Sequence, residues 1–376
     1  MVHVHRQLLE RINPRLEDPK VIVVLGPRQA GKTTMVRDLV GGKPALWLNG
    51  DESDIRRMLT ETTSTRLLDI IGNHTVVVID EAQRIENIGL TLKLFADVLP
   101  GVKVIATGSS SFDLANKINE PLTGRKWEYT LLPFSFSELA VQTSVIEERR
   151  LLHERMIYGM YPGVVLAPSQ DRTEILKELA SSYLYRDVLT WEAINKPERL
   201  ERLLQALALQ MGNEVSYNEL AQVTGLDNQT VERYIGILER SFVVFRLYAL
   251  NRNHRNELKK SRKVYFYDNG IRNAILRRFQ PLELRDDVGS LWENYCVSER
   301  RKFLYNTGLD VNSYFWRTPQ QQEIDYIEER NGHFMAWEFK WNPAARVRLP
   351  KAFAESYPAH TFEVVTPEEY ARWLEC

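Results

Sequence analysis

The stretch Gly26-Pro27-Arg28-Gln29-Ala30-Gly31-Lys32-Thr33-Thr34, set directly behind the apolar run Val21-Ile22-Val23-Val24-Leu25, narrows the fold more than any other feature of this chain. It reads G-x-x-x-x-G-K-T between the end of a buried strand and the start of a helix, a unit that belongs in a parallel sheet covered on both faces. Gly26 and Gly31 let the loop backbone curl, and a helix opening near Lys32 aims its free amides at an anion. All nine residues then face a nucleoside triphosphate. Lys32 offers a point charge to the β and γ phosphates, and the Thr33 hydroxyl is placed to hold Mg²⁺. ATP with Mg²⁺ is the expected ligand.

The rest of such a site is expected about fifty residues further on. Val76-Val77-Val78-Ile79-Asp80-Glu81 is a β-branched strand ending in two carboxylates. Asp80 is expected to hold Mg²⁺ through water, and Glu81 to orient and deprotonate the attacking water, since phosphoryl transfer needs positioning and charge neutralisation above all. Three more strands are predicted at Ala45 to Asn49, Val102 to Thr107 and Trp127 to Leu132. Five strands alternating with helices give a doubly wound α/β domain. The fourth runs into Thr107-Gly108-Ser109-Ser110-Ser111 at the carboxyl edge of the sheet, where Ser109 is expected to meet the nucleotide. Ser110 and Ser111 read equally as caps of the next helix.

These motifs, with the later Leu122-Thr123-Gly124-Arg125 and Leu132-Pro133-Phe134-Ser135-Phe136-Ser137-Glu138, resemble a group of prokaryotic AAA-superfamily P-loop ATPases. The resemblance spans nearly the whole chain. It implies an AAA-type doubly wound parallel sheet, a helical lid, and a C-terminal domain of unknown function similar to restriction-endonuclease-like, PD-(D/E)xK, nucleases. It further implies that Arg125 is a finger acting on a neighbouring subunit's nucleotide, although Arg125 reads equally as a surface cation. The expected divisions are an ATPase core over 1–138, a helical lid over 139–196, a winged-helix module with a basic extension over 197–280, and an α/β nuclease-like domain over 281–376. Arg186 in the lid is a candidate for reaching the nucleotide, with an internal salt bridge as the commoner role.

Charge is nearly balanced, with 49 basic and 50 acidic residues among 376, so no global field draws the protein to nucleic acid or membrane. The first residues lack an apolar signal core, no run approaches the roughly 18 apolar residues of a membrane helix, and the two cysteines, Cys296 and Cys376, build no disulfide framework. A soluble, cytoplasmic protein is expected.

Within 197–280, Leu200, Leu203, Leu204, Leu207 and Met211 recur at helical spacing, Ser216 with Glu219 forms a capping box, Val231, Tyr234, Ile235 and Leu238 make a second buried stripe, and Phe242 to Leu247 supplies a wing strand. The outer face of the second helix carries Asn228, Gln229, Glu232, Arg233 and Glu239, a weak reader of bases because its glutamates repel phosphate. A plain interaction module fits as well. Between Arg240 and Arg278 eleven Lys or Arg residues meet two acids, with Tyr248, Tyr265, Phe266 and Tyr267 interleaved. Arg233, Arg252, Arg255, Lys259, Lys260, Arg262 and Lys263 are thus the expected DNA contacts, through phosphate.

Near the C-terminus, Glu323-Ile324-Asp325-Tyr326-Ile327 reads as a strand, Glu329-Arg330-Asn331-Gly332 as a turn, and Phe334 to Trp341 as a second strand. Period-two geometry puts Glu338 and Lys340 on one side of their strand, with Asp325 facing them from the other. That is the D…E-x-K pattern in which two carboxylates hold Mg²⁺ and a lysine, here Lys340, helps activate water; Glu293 on an upstream helix matches an additional acid. An ordinary charged hairpin has the same spacing. The whole reads as a nucleotide-driven machine acting on nucleic acid. Its rival is a regulatory ATPase switch that binds a protein partner, with an inactive nuclease-like domain. A homo-oligomer fits either.

Overall fold

The computed structural model describes residues 3–109, 122–183, 197–250 and 261–374. It divides into two compact units. One comprises residues 5–133 with 240–242, and the other comprises residues 1–4, 134–239 and 243–376.

The first unit is built on five strands: β1 (Val21–Leu25), β2 (Ala45–Asn49), β3 (Val76–Asp80), β4 (Lys103–Gly108) and β5 (Lys126–Thr130). They lie in the order β2-β3-β4-β1-β5, and every pairing is parallel. Continuous apolar runs suit this arrangement, because helices cover both faces. All five residues of β1 are buried. Against them pack Met35, Val36, Leu39 and Val40 of the helix Lys32–Val40, and Leu8, Leu9 and Ile12 of the helix Leu8–Ile12. The strands fall within a residue or two of their expected positions; β1 and β4 are buried throughout, whereas the edge strands β2 and β5 are partly exposed.

The second unit carries β6 (Val244–Ala249), β7 (Arg262–Phe266), β8 (Asn312–Arg317), β9 (Glu323–Arg330), β10 (His333–Phe339) and β11 (His360–Val365). They form one mixed sheet in the order β11-β10-β9-β8-β6-β7. β8, β9 and β10 run as an antiparallel meander, while β11 joins β10 in parallel. The helix Val288–Thr307 lies on this sheet, burying Trp292 and Tyr295. Its Arg300 donates both Nε and Nη2 to Glu328 at 2.7 and 2.8 Å. On its other side Glu299 accepts from the Phe136 amide at 2.7 Å, at the start of the helix Phe136–Gln142 that Ser135 and Glu138 close with a capping box.

Two expected divisions change here. The helices Pro197–Leu209, Tyr217–Thr224 and Asn228–Arg240 form as expected, and Ser216 caps the second. The strand after them is no free-standing wing, however. β6 pairs with β7 and, through Tyr248 and Ala249, with β8, so the segments 197–280 and 281–376 share one sheet. The parallel pairing of β6 with β8 spans some sixty residues and leaves no local signature. Residues 139–183 also belong to this unit instead of forming a separate lid. Arg186 lies outside the described residues.

Candidate nucleotide site and a C-terminal charge cluster

The loop between β1 and the helix Lys32–Val40 owes its shape to three left-handed backbones. Gly26 has φ +153°, and a Cβ there would run into the Leu131 carbonyl oxygen; Gln29 and Gly31 follow at φ 58° and 92°. Glycine accepts such angles freely, and the loop folds closely over the end of β5. Pro27, Arg28, Ala30, Thr33 and Thr34 complete the loop and the first helical turn. The Lys32 ammonium, buried, donates to the carbonyls of Gly26 and Pro27 at 2.9 and 2.8 Å. Thr33 Oγ1 donates to Asp80 Oδ2 at 2.8 Å, so the hydroxyl and carboxylate expected at one Mg²⁺ do lie side by side.

Asp80 is held from the other side as well. Its Oδ1 accepts from the Thr107 hydroxyl and from the Glu81 amide, the latter at 3.1 Å. Glu81 sits at φ 50°, a left-handed backbone that a non-glycine residue adopts only where its surroundings enforce it. Gln83 Nε2 bridges Glu81 Oε2 at 2.6 Å and Ser109 Oγ at 3.0 Å, tying the end of β3 to the end of β4. Ser110 and Ser111 lie outside the described residues. Arg125 Nε contacts Asp97 Oδ1 at 2.5 Å on the surface of its own unit.

Two contributors escaped the sequence reading. Arg6, buried, donates to the carbonyls of Ala30 and Leu132 at 2.7 and 2.6 Å and so clamps the loop to the segment after β5. Nothing local marks an arginine twenty residues upstream of a glycine loop. Gln83 was better signalled, since it lies two positions after Glu81 at the carboxyl edge.

In the second unit Glu293, Asp325, Glu338 and Lys340 come together, but not alone. Lys340 Nζ lies 2.7 Å from Glu338 Oε2 and 3.8 Å from Asp325 Oδ2, and the Phe339 amide donates to Asp325 Oδ2 at 2.9 Å. A second ammonium stands among the acids. Lys263 Nζ, on β7, is 2.9 Å from Glu293 Oε1, 2.5 Å from Glu323 Oε1 and 3.8 Å from Asp325 Oδ1. Tyr265 donates to the same Glu293 oxygen at 2.6 Å. Burial pushes Glu293 and Glu338 up to about 7; Asp325 adds to both shifts, while Lys263 and Lys340 respectively oppose them. Burial disfavours the Lys263 charge, but the carboxylates outweigh it and raise its pKa.

This corrects two expectations. Lys263 is no DNA contact: its side chain is 1% exposed and fully engaged with acids. Arg262, half-buried, stacks on a ring of its own unit, its guanidinium 4.0 Å from the centre of the Tyr217 ring. Arg233 stands 5.5 Å from the Tyr234 ring, while Arg252, Arg255, Lys259 and Lys260 lie outside the described residues. Nor do Glu293, Asp325 and Glu338 meet as metal ligands. Among the described residues no three His, Cys, Asp or Glu side chains stand so as to hold a metal ion. The donor set does not fit one, because ammonium groups occupy the space between the carboxylates. Glu323, missed earlier, shares a strand face with Asp325 by period two. A buried lysine such as Lys263 cannot be told from a solvated one by pattern alone.

A glycine loop entering a helix, a strand ending Asp-Glu beside it, and a five-stranded parallel sheet define the first unit as an AAA-type P-loop nucleotide-binding domain. Comparison with known proteins agrees. Residues 18–140 match a family model described as an AAA domain, while 149–282 and 288–373 match two domains of unknown function, DUF8612 and DUF4143. An uncharacterized protein of Mycobacterium tuberculosis is 26% identical over 348 residues, covering 90% of this chain and 74% of that protein. One from Methanocaldococcus jannaschii is 25% identical over 340 residues, covering 84% and 74%. Among solved structures a Walker-type ATPase of Pyrococcus abyssi shares the fold, with a TM-score of 0.50 and 16% identity over 72% of this chain and 95% of that one. No helix among the described residues is long and apolar enough to cross a membrane.

Proposed function

We propose that the chain binds ATP with Mg²⁺ and hydrolyses it in its AAA-type unit. The observation that carries this reading is the pairing of Thr33 with Asp80 close to a buried Lys32, which brings the expected metal-binding groups and phosphate-binding cation together at the carboxyl edge of the sheet. Mg²⁺, held by Thr33 and through water by Asp80, would neutralise phosphate charge. The chain's own residues do the rest: the loop amides and Lys32 orient the phosphates, Glu81 takes the proton of the attacking water, and Gln83 fixes the Glu81 carboxylate against Ser109. Phosphate release from ATP by the full chain, with and without Mg²⁺, tests it; no release with Mg²⁺ present would overturn hydrolysis.

For the second unit we favour a regulatory switch that grips a partner over an enzyme that cuts DNA. What supports this is the burial of Lys263 among the carboxylates, which removes one of seven expected phosphate contacts and fills the cluster, while Arg262 stacks on Tyr217. Arg125, paired with Asp97 in its own unit, gives no particular support to a finger acting between subunits. Binding to arbitrary duplex DNA at several salt concentrations discriminates the readings. A steep negative slope of affinity with salt, lost on replacing Arg252, Arg255, Lys259 and Lys260 by alanine, would restore the DNA reading.

A further inference from the structure

We propose that Lys263 is the resident cation of the C-terminal carboxylate cluster, standing where Glu293, Glu323 and Asp325 would otherwise gather a divalent ion. The inference rests on the geometry of the second unit and does not depend on ATP turnover in the first.

Three observations carry it. The Lys263 ammonium reaches two carboxylates at 2.9 and 2.5 Å and a third at 3.8 Å, each from a different position in the fold: Glu293 on the helix Val288–Thr307, Glu323 at the start of β9, and Asp325 two residues along it. The ammonium is within hydrogen-bond distance of Glu293 and Glu323 and pairs with Asp325 by charge alone. Its strand also holds it in place. The four residues from Lys263 to Phe266 are all buried, and the side chain is 1% exposed, against 34% for Lys340. Lys340 can swing to water, whereas Lys263 cannot leave without disturbing the core.

The third observation is that the Glu293 oxygen nearest the ammonium already has two donors on it: Oε1 accepts from both Lys263 and Tyr265. A Mg²⁺ ion demands near-octahedral oxygen ligands and keeps several waters, and a second cation beside a fixed ammonium is repelled. Removing the ammonium leaves three carboxylates around a space the size of its head group. Their mutual repulsion is then relieved by a metal ion.

The test is Mn²⁺ binding by the nucleotide-free full chain, measured by calorimetry and by melting temperature, with the first unit's own Mn²⁺ binding common to every variant. Wild type and Asp325→Asn should bind Mn²⁺ alike. Lys263→Met should gain an additional site at least about tenfold tighter than any residual binding by the wild-type cluster, with a raised melting temperature, and Lys263→Met/Asp325→Asn should lose both. Wild-type Mn²⁺ binding that disappears with Asp325→Asn would overturn the proposal. So would a folded Lys263→Met chain that gains nothing, because the cluster would then be an ordinary ion-pair network. Should Lys263→Met be unfolded alone, recovery of its fold by Mn²⁺ supports the inference. Failure of both Lys263→Met and Lys263→Gln to recover with Mn²⁺ counts against it.

Discussion

Lys263 Nζ lies 2.9 Å from Glu293 Oε1, an ion pair that joins an inner residue of β7 to the helix Val288–Thr307. Its lysine came from a stretch expected to face DNA, and its glutamate from a set expected to hold metal. Removing one partner of a buried pair leaves the other charge uncompensated, at a cost of about 3–5 kcal/mol. The pair thus makes the cluster part of the fold's stability as well as a candidate site.

The cluster should show itself in the pH dependence of stability. Glu293 is pushed up from 4.5 to about 7, first by burial, so between those values the folded state holds a proton that the unfolded state has released. The stability from this group is therefore complete below about 4.5 and declines as pH rises through about 7. Glu293→Gln should flatten that decline. The gap in melting temperature between wild type and variant should change by a few degrees between about pH 5 and about pH 8, for a contribution on the order of 1–3 kcal/mol. A constant gap would remove the shifted carboxyl from the account.

In the first unit, Lys32→Ala removes the cation beside the phosphates, and ATP affinity should drop with hydrolysis reduced by about 10²-fold or more. Glu81→Gln keeps the loop's shape but removes the base, so ATP should bind near wild-type affinity and persist, with turnover lower by about 10²–10⁴-fold. Calorimetry and phosphate release on the same preparations separate the two effects. Turnover at the wild-type rate in Glu81→Gln would mean that another group takes the proton.

Arg6 reaches two carbonyls, of Ala30 and Leu132, through separate guanidinium nitrogens. Arg6→Met keeps much of the apolar stem and leaves both oxygens unpaired. The expected loss is about 2–3 kcal/mol of stability, with ATP affinity weaker by about tenfold because the loop is no longer preorganised. Denaturant unfolding and nucleotide titration measure the two. A stability loss with unchanged ATP affinity would make Arg6 a structural tie only.

Asp268 caps the helix Asn269–Leu276 through the Ile271 amide at 3.1 Å and accepts from the Met160 amide at 2.6 Å. A Cβ on Gly159 would collide with its carboxylate, which, with the φ of 72° there, explains why a glycine follows the helix Leu152–Tyr158. Asp268→Ala leaves two buried amides unpaired and should cost about 2–4 kcal/mol, read as a shift in denaturant midpoint. Asp268→Asn should recover part of the loss.

The first unit was legible in the sequence for a definite physical reason. A strand buried on both faces must be apolar throughout, and a loop that turns at positive φ favours glycine, so Val21 to Thr34 and Val76 to Glu81 carry their structure locally. The helices at 197–240 and the hairpin around Asn331 were equally local, set by 3.6-residue and two-residue periods. What only the tertiary structure decided were encounters across long separations. β6 and β7 entered the C-terminal sheet through backbone hydrogen bonds that any sequence can make. Arg6 found a carbonyl 126 residues away, and Lys263 found Glu293 and Glu323 in the core rather than phosphate at the surface. A lysine's charge is written in the sequence, but whether water or three carboxylates neutralise it depends on which strands lie beside it.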